Sequence, residues 1–137
     1  MTSRIVLALA LLAPLIVPVT SPVFAQDAAE GEALFTRYCA TCHGVGAKGD
    51  GPMSPVLIIQ PTDLTVLAAE QGGTFPRIRV IGRIDGRDPL VSHGSPMPIF
   101  GQLFDGRGET IRGEDGVMIM TSQPVIDLVA YLEGMQE

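Results

Sequence analysis

The 137-residue sequence is short of the large side chains that usually fill a protein core. It has no Trp, only two Tyr and five Phe, whereas Gly (16) and Pro (11) are frequent. The length suggests one domain, and domains of about a hundred residues bury a limited share of their surface. We therefore expect something other than side chains, such as a large covalent cofactor, to fill part of the core.

The sequence also lacks an apolar run long enough for a membrane anchor. Its run "IVLALALLAPLIVPV", at residues 5–19, follows Arg4 and is interrupted by Pro14 and Pro18. A membrane helix needs about 20 consecutive apolar residues. A basic residue followed by a short apolar stretch is instead typical of a secretory signal peptide.

Val23 and Ala25 in "SPVFAQ" suit the usual positions before a signal-peptide cleavage site. We therefore predict that residues 1–25 are removed and that residues 26–137 form the mature domain in the periplasm. An uncleaved membrane anchor is the alternative. No cysteine lies beside the cleavage site, which argues against a lipoprotein anchor.

Basic residues are scarce, with 9 Lys and Arg against 15 Asp and Glu. Residues 1–25 contain one Arg and no acidic residue, so the mature domain has 8 basic and 15 acidic residues and a net charge of −7. Proteins that bind nucleic acid need clustered Lys and Arg to neutralise phosphates. The composition therefore argues against nucleic acid as a partner and fits an exported protein that docks on a basic surface.

Only two cysteines occur, and both lie in "CATCH", where His43 directly follows Cys39 and Cys42 at a spacing of three. A disulfide would suit an oxidising compartment. A thioredoxin-like redox pair would need a βαβ pattern, which is not seen nearby. A structural zinc site usually has four ligands, and the only other histidine is His93.

Covalent attachment of haem c is the fourth chemistry for this motif, and the one we favour. Two thiols at this spacing can each form a thioether with a haem vinyl group. The imidazole of the following residue, His43, can then bind the iron. A disulfide does not require a histidine at this position. The motif occurs once, so we predict one haem.

The residues before the motif predict a helix. In "DAAEGEALFTRYCATCH", Leu34, Phe35 and Tyr38 follow helical spacing, and Gly31 lies one turn before Phe35. A glycine inside a helix costs about 1 kcal/mol relative to alanine. We therefore expect another helix to pass close to Gly31.

The end of the sequence supplies a second helix. In "TSQPVIDLVAYLEGMQE", four apolar residues form a stripe at helical spacing: Val125, Leu128, Val129 and Leu132. Ser122 or Gln123 can cap the start of this helix, and Pro124 suits its first turn. Gly134 can end it. We predict that this helix crosses the first around Gly31, with Tyr131 beside the stripe.

Four segments together resemble the class I (monohaem) cytochrome c family. They are "GEALFTRYCATCHG", "GDGP" (Gly49 to Pro52), "SPMPIFG" (Ser95 to Gly101) and "DLVAYLE" (Asp127 to Glu133). The likeness spans nearly the whole chain after residue 25. It implies an all-α fold of three to five helices around one covalent haem, with single-electron transfer between redox proteins as the function and no enzymatic activity.

The resemblance also implies the roles of four residues. Cys39 and Cys42 would be the thioether sites, and His43 the proximal iron ligand. Pro52 matches a loop proline whose carbonyl accepts a hydrogen bond from the proximal imidazole. Such a bond fixes the ring and raises its basicity.

The sixth iron ligand has five candidates: Met53, His93, Met97, Met118 and Met120. Met97 lies between two prolines, which favour an extended loop able to hold a thioether over the haem. Met118 and Met120 alternate with other apolar residues, as in a strand, and a hairpin with "ETIR" through "GEDG" is expected. Met97 is therefore our prediction, and His93 is its main competitor.

The stretch between the loop after the motif and the methionine loop predicts two shorter helices. The first lies in "PTDLTVLAAEQGG", with Leu64 and Leu67 on one face and Gly72–Gly73 as its end. The second lies in "TFPRIRVIGRIDG", with Ile78 and Ile81 on one side and Gly86 as its end. Two roles stay open for the arginines of this second segment, which either face solvent or neutralise haem propionates. These arginines are Arg77, Arg79, Arg83 and Arg87.

The sequence therefore predicts a periplasmic monohaem cytochrome that carries single electrons. It would act free or as the haem subunit of a respiratory or dehydrogenase complex. The membrane would be contacted only through that complex or through an uncleaved signal. The alternative function is a ligand-binding, sensor or peroxidase-like haem protein with an open or displaceable sixth position.

Overall fold

The computed structural model describes residues 26–88 and 97–137. In these residues the helices are α1 (Ala28–Tyr38), α2 (Ala40–His43), α3 (Leu67–Glu70), α4 (Arg77–Asp85) and α5 (Gln123–Gly134), with a 3₁₀ turn at Ser54–Val56. Strands β1 (Gly108–Arg112) and β2 (Met118–Ser122) form one antiparallel hairpin. The mostly helical fold, with a small hairpin before the last helix, confirms the predicted fold class. None of the helices in the described ranges has the length and apolar character needed to cross a membrane.

Helices α1 and α5 pack against each other, as the glycine pattern predicts. Asp27 caps α1 through its carboxylate, which accepts hydrogen bonds from the backbone N–H groups of Ala29 and Glu30. The rings of Phe35 and Tyr131 meet between the two helices with their centroids 5.4 Å apart. All four residues of the predicted α5 stripe are buried: Val125, Leu128, Val129 and Leu132.

Helix α4 ends where the sequence indicates, and it buries one face against the core. Gly86 closes the helix in the left-handed conformation, with φ of 85°. Val80, Ile81 and Ile84 are buried, whereas Ile78 is 37% exposed. Ile81 of the predicted pair therefore lies in the core together with Val80 and Ile84, whereas Ile78 lies at the edge of the buried face.

Helix α3 is a single turn and begins later than the periodicity suggests. The Asp63 carboxylate accepts hydrogen bonds from both the backbone N–H and the hydroxyl of Thr65. The N–H of Leu64 donates to the Ala47 carbonyl instead of to a helical partner. These bonds hold the chain in a turn, so the helix starts only at Leu67.

The hairpin confirms the strand prediction for the two late methionines. Ile111 pairs with Ile119, and Thr110 pairs with Met120. Ile111 is buried, whereas Met118 and Met120 are 52% and 68% exposed. One hairpin face therefore packs on the core, and the two methionines lie on the other.

Candidate functional site

A cavity of about 550 Å³ lies between α1, α4, α5 and the long loop after α2. This volume is in the range of about 300–1,000 Å³ that is usual for cofactor sites. Cys39, Cys42, His43 and Met97 all line it. Much of the remaining wall is apolar and includes Phe35, Leu64, Leu67, Val80, Ile84, Leu128 and Leu132.

The end of α1 and the short helix α2 place both cysteines on the cavity wall. The N–H of Cys39 donates to the Phe35 carbonyl, and the N–H of His43 donates to the Cys39 carbonyl at 2.9 Å. Residues three and four apart on a helical turn share a face. This local geometry brings Cys39, Cys42 and His43 to one cavity.

Both cysteines are free thiols, and the surroundings of Cys39 do not favour a reactive thiolate. Burial, and to a smaller extent the neighbouring Cys42, raises the pKa of Cys39 to about 11. Thiols that attack disulfides have a lowered pKa and sit in electropositive surroundings. The site therefore argues against thioredoxin-like chemistry and leaves a protonated thiol for covalent attachment.

The His43 ring is oriented by a backbone carbonyl, but not by the one the sequence suggests. Its Nδ1 lies 3.0 Å from the Thr62 carbonyl oxygen. A carbonyl can only accept, so Nδ1 carries the proton and Nε2 has the free lone pair. Burial lowers the pKa of His43, although the Thr62 bond acts the other way. A neutral imidazole of this tautomer is a metal ligand.

The prediction that Pro52 accepts this hydrogen bond is wrong in the structure. Pro52 is exposed, and it is not among the residues that line the cavity. The loop after α2 instead turns back against residues 61 and 62. A Cβ at Gly49, where φ is 78°, would lie 2.2 Å from the Pro61 carbonyl oxygen. This close contact accompanies the placement of the Thr62 carbonyl beside the His43 imidazole.

Of the candidate sixth ligands within the described residues, Met97 alone lines the cavity. Met53 is 43% exposed, and Met118 and Met120 lie on the outer hairpin face. His93 lies outside the described residues. The structure thus brings Met97, but none of the other candidate methionines, into the same cavity as His43.

The family model for cytochrome c matches residues 28–136, nearly all of the described chain. The chain belongs to the cytochrome c family. No curated protein and no solved structure matches it. A cytochrome c domain is a haem-based electron carrier, and most members of the family carry electrons rather than catalyse reactions. The family and the Cys39–Cys42 pair together imply a covalently bound haem c.

The cavity of this cytochrome fits such a cofactor. Its apolar walls suit a flat hydrophobic macrocycle, and the two thiols lie on the same wall as the imidazole. Helices α1, α4 and α5 each contribute apolar side chains, so the cofactor would lie between these three helices. This accounts for the shortage of large core side chains in the sequence.

The four arginines of the α4 region have different surroundings in the cytochrome. Arg77 pairs with Glu133 at 2.6 Å, and Arg87 pairs with Asp85. Neither lines the cavity, whereas Arg79 and Arg83 do. Arg77 and Arg87 are therefore engaged elsewhere, and Arg79 is placed where a haem carboxylate could meet it, whereas Arg83 pairs with Asp88 on the cavity wall.

Two residues of the site were not found by sequence reasoning. Thr62 acts through its carbonyl, which no side-chain pattern reveals, and Asp88 lines the cavity while pairing with Arg83 at 3.2 Å. For Asp88, the only signal in the sequence was its position shortly after Arg83, on the other side of Gly86, which ends α4. Charge pairs over a helix end are common, so the signal was weak.

Proposed function

We propose that this cytochrome is a periplasmic, monohaem carrier of single electrons, free or as the haem subunit of a respiratory or dehydrogenase complex. Cys39 and Cys42 form the two thioethers, His43 is the proximal ligand and Met97 the distal one. The observation that carries the proposal is that these four residues line one cavity in a cytochrome c domain.

Bound haem c would supply a one-electron iron couple. The chain contributes the ligand set and the surroundings. Thr62 holds the His43 ring in the tautomer that leaves Nε2 free. Apolar residues such as Leu128 and Leu132 line the cavity and would keep water away from the bound group. Met97 supplies a soft, neutral thioether that favours the reduced state.

Met97 in the distal position would favour the carrier function over the alternative of an open sixth site. A carrier benefits when neither oxidation state gains or loses a ligand, whereas a sensor or peroxidase needs room for a small molecule. Met97 lines the cavity and is partly buried against the core. This placement supports a closed site, and we propose no enzymatic activity.

The proposed partners are redox proteins that approach the exposed part of the cavity lining. Ile59 is 59% exposed and Pro98 is also exposed, and both line the cavity. The mature net charge of −7 favours a basic partner surface. We further propose that residues 1–25 are a cleaved signal peptide, and that membrane contact occurs only through a partner complex.

Covalent attachment is the first test. The protein made with a c-type maturation system should carry the mass of one haem, which acid–acetone extraction should not remove. Replacing both thiols (Cys39→Ala with Cys42→Ala) should make any bound haem extractable, while each single variant should retain one thioether. Haem that extracts freely from the parent protein would contradict the proposal.

A further inference from the structure

The side chain of Gln136, just after α5, joins two parts of the cavity wall to each other. Its Nε2 donates to the Leu64 carbonyl at 2.8 Å and to the Leu132 carbonyl at 2.7 Å. Its Oε1 accepts a hydrogen bond from the Ala68 N–H at 2.9 Å. An amide NH₂ group has two hydrogens to donate, so both are used in these contacts.

The residues that Gln136 fastens belong to the wall or lie next to it. Leu64 and Leu132 line the cavity, and so does Leu67, which directly precedes Ala68. Leu132 lies in α5, whereas Leu64 lies in the segment before α3. Gln136 is partly buried and is not itself among the lining residues. It would therefore act on a bound haem only through these leucines.

The two sides of Leu64 have different attachments. Its N–H donates to the Ala47 carbonyl at 2.7 Å, which ties the side nearer Thr62 to the loop after α2. Its carbonyl accepts from Gln136. Losing the Gln136 amide should therefore release the wall on the far side of Leu64, while the bond to Ala47 keeps Thr62 in place.

A backbone bond also joins the residue after Gln136 to this segment. The N–H of Glu137 donates to the Thr65 carbonyl at 2.9 Å. Thr65 is buried but does not line the cavity, so this bond fastens neither leucine carbonyl. The direct link between the two leucines of the wall is the Gln136 amide.

We infer that Gln136 is a positioning residue that keeps the cavity closed between α5 and residues 64–68. Ferric haem carries one more positive charge than ferrous haem, and water stabilises the more highly charged form. An apolar wall that limits the access of water therefore raises the midpoint potential. This inference rests on the proposed function, since it needs haem in this cavity.

The midpoint potential of the holoprotein, measured by spectroelectrochemical titration, provides the test. Gln136→Met keeps the length of the side chain but removes both donors, so water should reach the haem and the potential should fall. Leu64→Ala opens the wall directly and should also lower the potential. The shift in the double variant should be smaller than the sum of the two single shifts, because both changes open the same wall.

Gln123→Met is the matched control, because Gln123 is also partly buried and donates to Asp127 at 2.7 Å at the other end of α5, away from the cavity. It should keep the parental potential, even if stability falls. A parental potential in Gln136→Met, equal shifts in the two glutamine variants or fully additive shifts in the double variant would overturn the inference. A higher potential in Gln136→Met would do the same, since it would indicate that the Thr62 carbonyl had left His43. A parent protein without covalent haem would instead overturn the proposed function itself.

Discussion

The backbone of Gly31 lies directly on the backbone of Asp127 where α1 crosses α5. A Cβ at position 31 would be 2.0 Å from the Asp127 carbonyl oxygen and 2.9 Å from the Tyr131 Cβ. The same Asp127 binds the start of α1, since its carboxylate accepts the Asp27 N–H at 2.9 Å. This crossing places Phe35 and Leu128 on neighbouring parts of the cavity wall.

The crossing should not tolerate a side chain at position 31. Gly31→Ala should lower the free energy of unfolding by about 2 kcal/mol, because overpacking against backbone outweighs the helix preference of alanine. Denaturant unfolding of the holoprotein measures the change. Gly134→Ala is the control, since a Cβ there meets nothing within 4 Å. It should be neutral or slightly stabilising, and a Gly31→Ala protein as stable as the parent would contradict the contact.

The buried Asp127 carboxylate should matter through its acceptor oxygen. Asp127 is 5% exposed, and Oδ1 accepts from the Asp27 N–H and from Gln123 Nε2 at 2.7 Å. Asp127→Ala leaves both donors without this partner and should cost about 2 kcal/mol of stability. Asp127→Asn keeps an acceptor and should cost less than half as much. Equal losses in the two variants, measured by thermal unfolding, would argue that packing and not hydrogen bonding is decisive.

The structural features that the sequence predicts correctly are those that leave a clear local pattern in it. The α5 stripe is visible because Val125, Leu128, Val129 and Leu132 repeat at helical spacing, and the structure buries all four. Gly31 is informative because a helix interior gives glycine no local advantage. The hairpin was predictable from alternation around a glycine-containing turn, which the pairing of Ile111 with Ile119 confirms.

What the sequence does not predict depends on backbone groups and on tertiary rotation. The carbonyl that binds His43 belongs to Thr62, 19 residues away, and carbonyls leave no trace in a sequence. The side of α4 that becomes buried depends on packing against α5, so Ile78 is partly exposed although its spacing suits the core. The length of α3 is limited by the Asp63–Thr65 bonds, which compete with a helix.

The Thr62 carbonyl should influence the redox potential, whereas Pro52 should not. Gly49→Ala would force a Cβ onto the Pro61 carbonyl and displace residues 61 and 62 from His43. Losing the hydrogen bond makes the imidazole a poorer donor, so the midpoint potential should rise. Pro52→Ala should leave the potential unchanged, because Pro52 is exposed and away from the cavity.

A second glycine in the same loop controls for this experiment. A Cβ at Gly46 meets only the Lys48 side chain, at 4.0 Å. Gly46→Ala should therefore keep the parental potential in spectroelectrochemical titration. A parental potential in the Gly49→Ala protein would contradict the role of the Thr62 carbonyl.

The proposed signal peptide predicts a defined start of the mature chain. The small and β-branched residues Ala25 and Val23 precede Gln26 in the pattern of a cleavage site. Protein purified from the periplasm should therefore begin at or very near Gln26, as intact mass would show. Retention of residues 1–25 in membrane fractions would support the uncleaved anchor instead.

Met97 and His93 can be separated as distal ligands by their effects on the same spectra. If Met97 binds the iron, the ferric protein has a weak near-infrared sulfur-to-iron band, and Met97→Ala abolishes it. The reduced variant should then bind carbon monoxide, which the parent should not do readily because the thioether fills that position. His93→Ala should leave the band and the reduced spectrum largely unchanged.

The opposite pattern would assign the distal position to His93. Low-spin iron that survives Met97→Ala but not His93→Ala would indicate two imidazole ligands and a lower potential, since thioether ligation raises the potential relative to a second imidazole. Met118→Ala is a suitable control for general effects of methionine loss, because Met118 is 52% exposed on the hairpin. It should keep both the band and the closed site. Immediate carbon monoxide binding by the parent protein would favour the sensor or peroxidase-like function over the carrier.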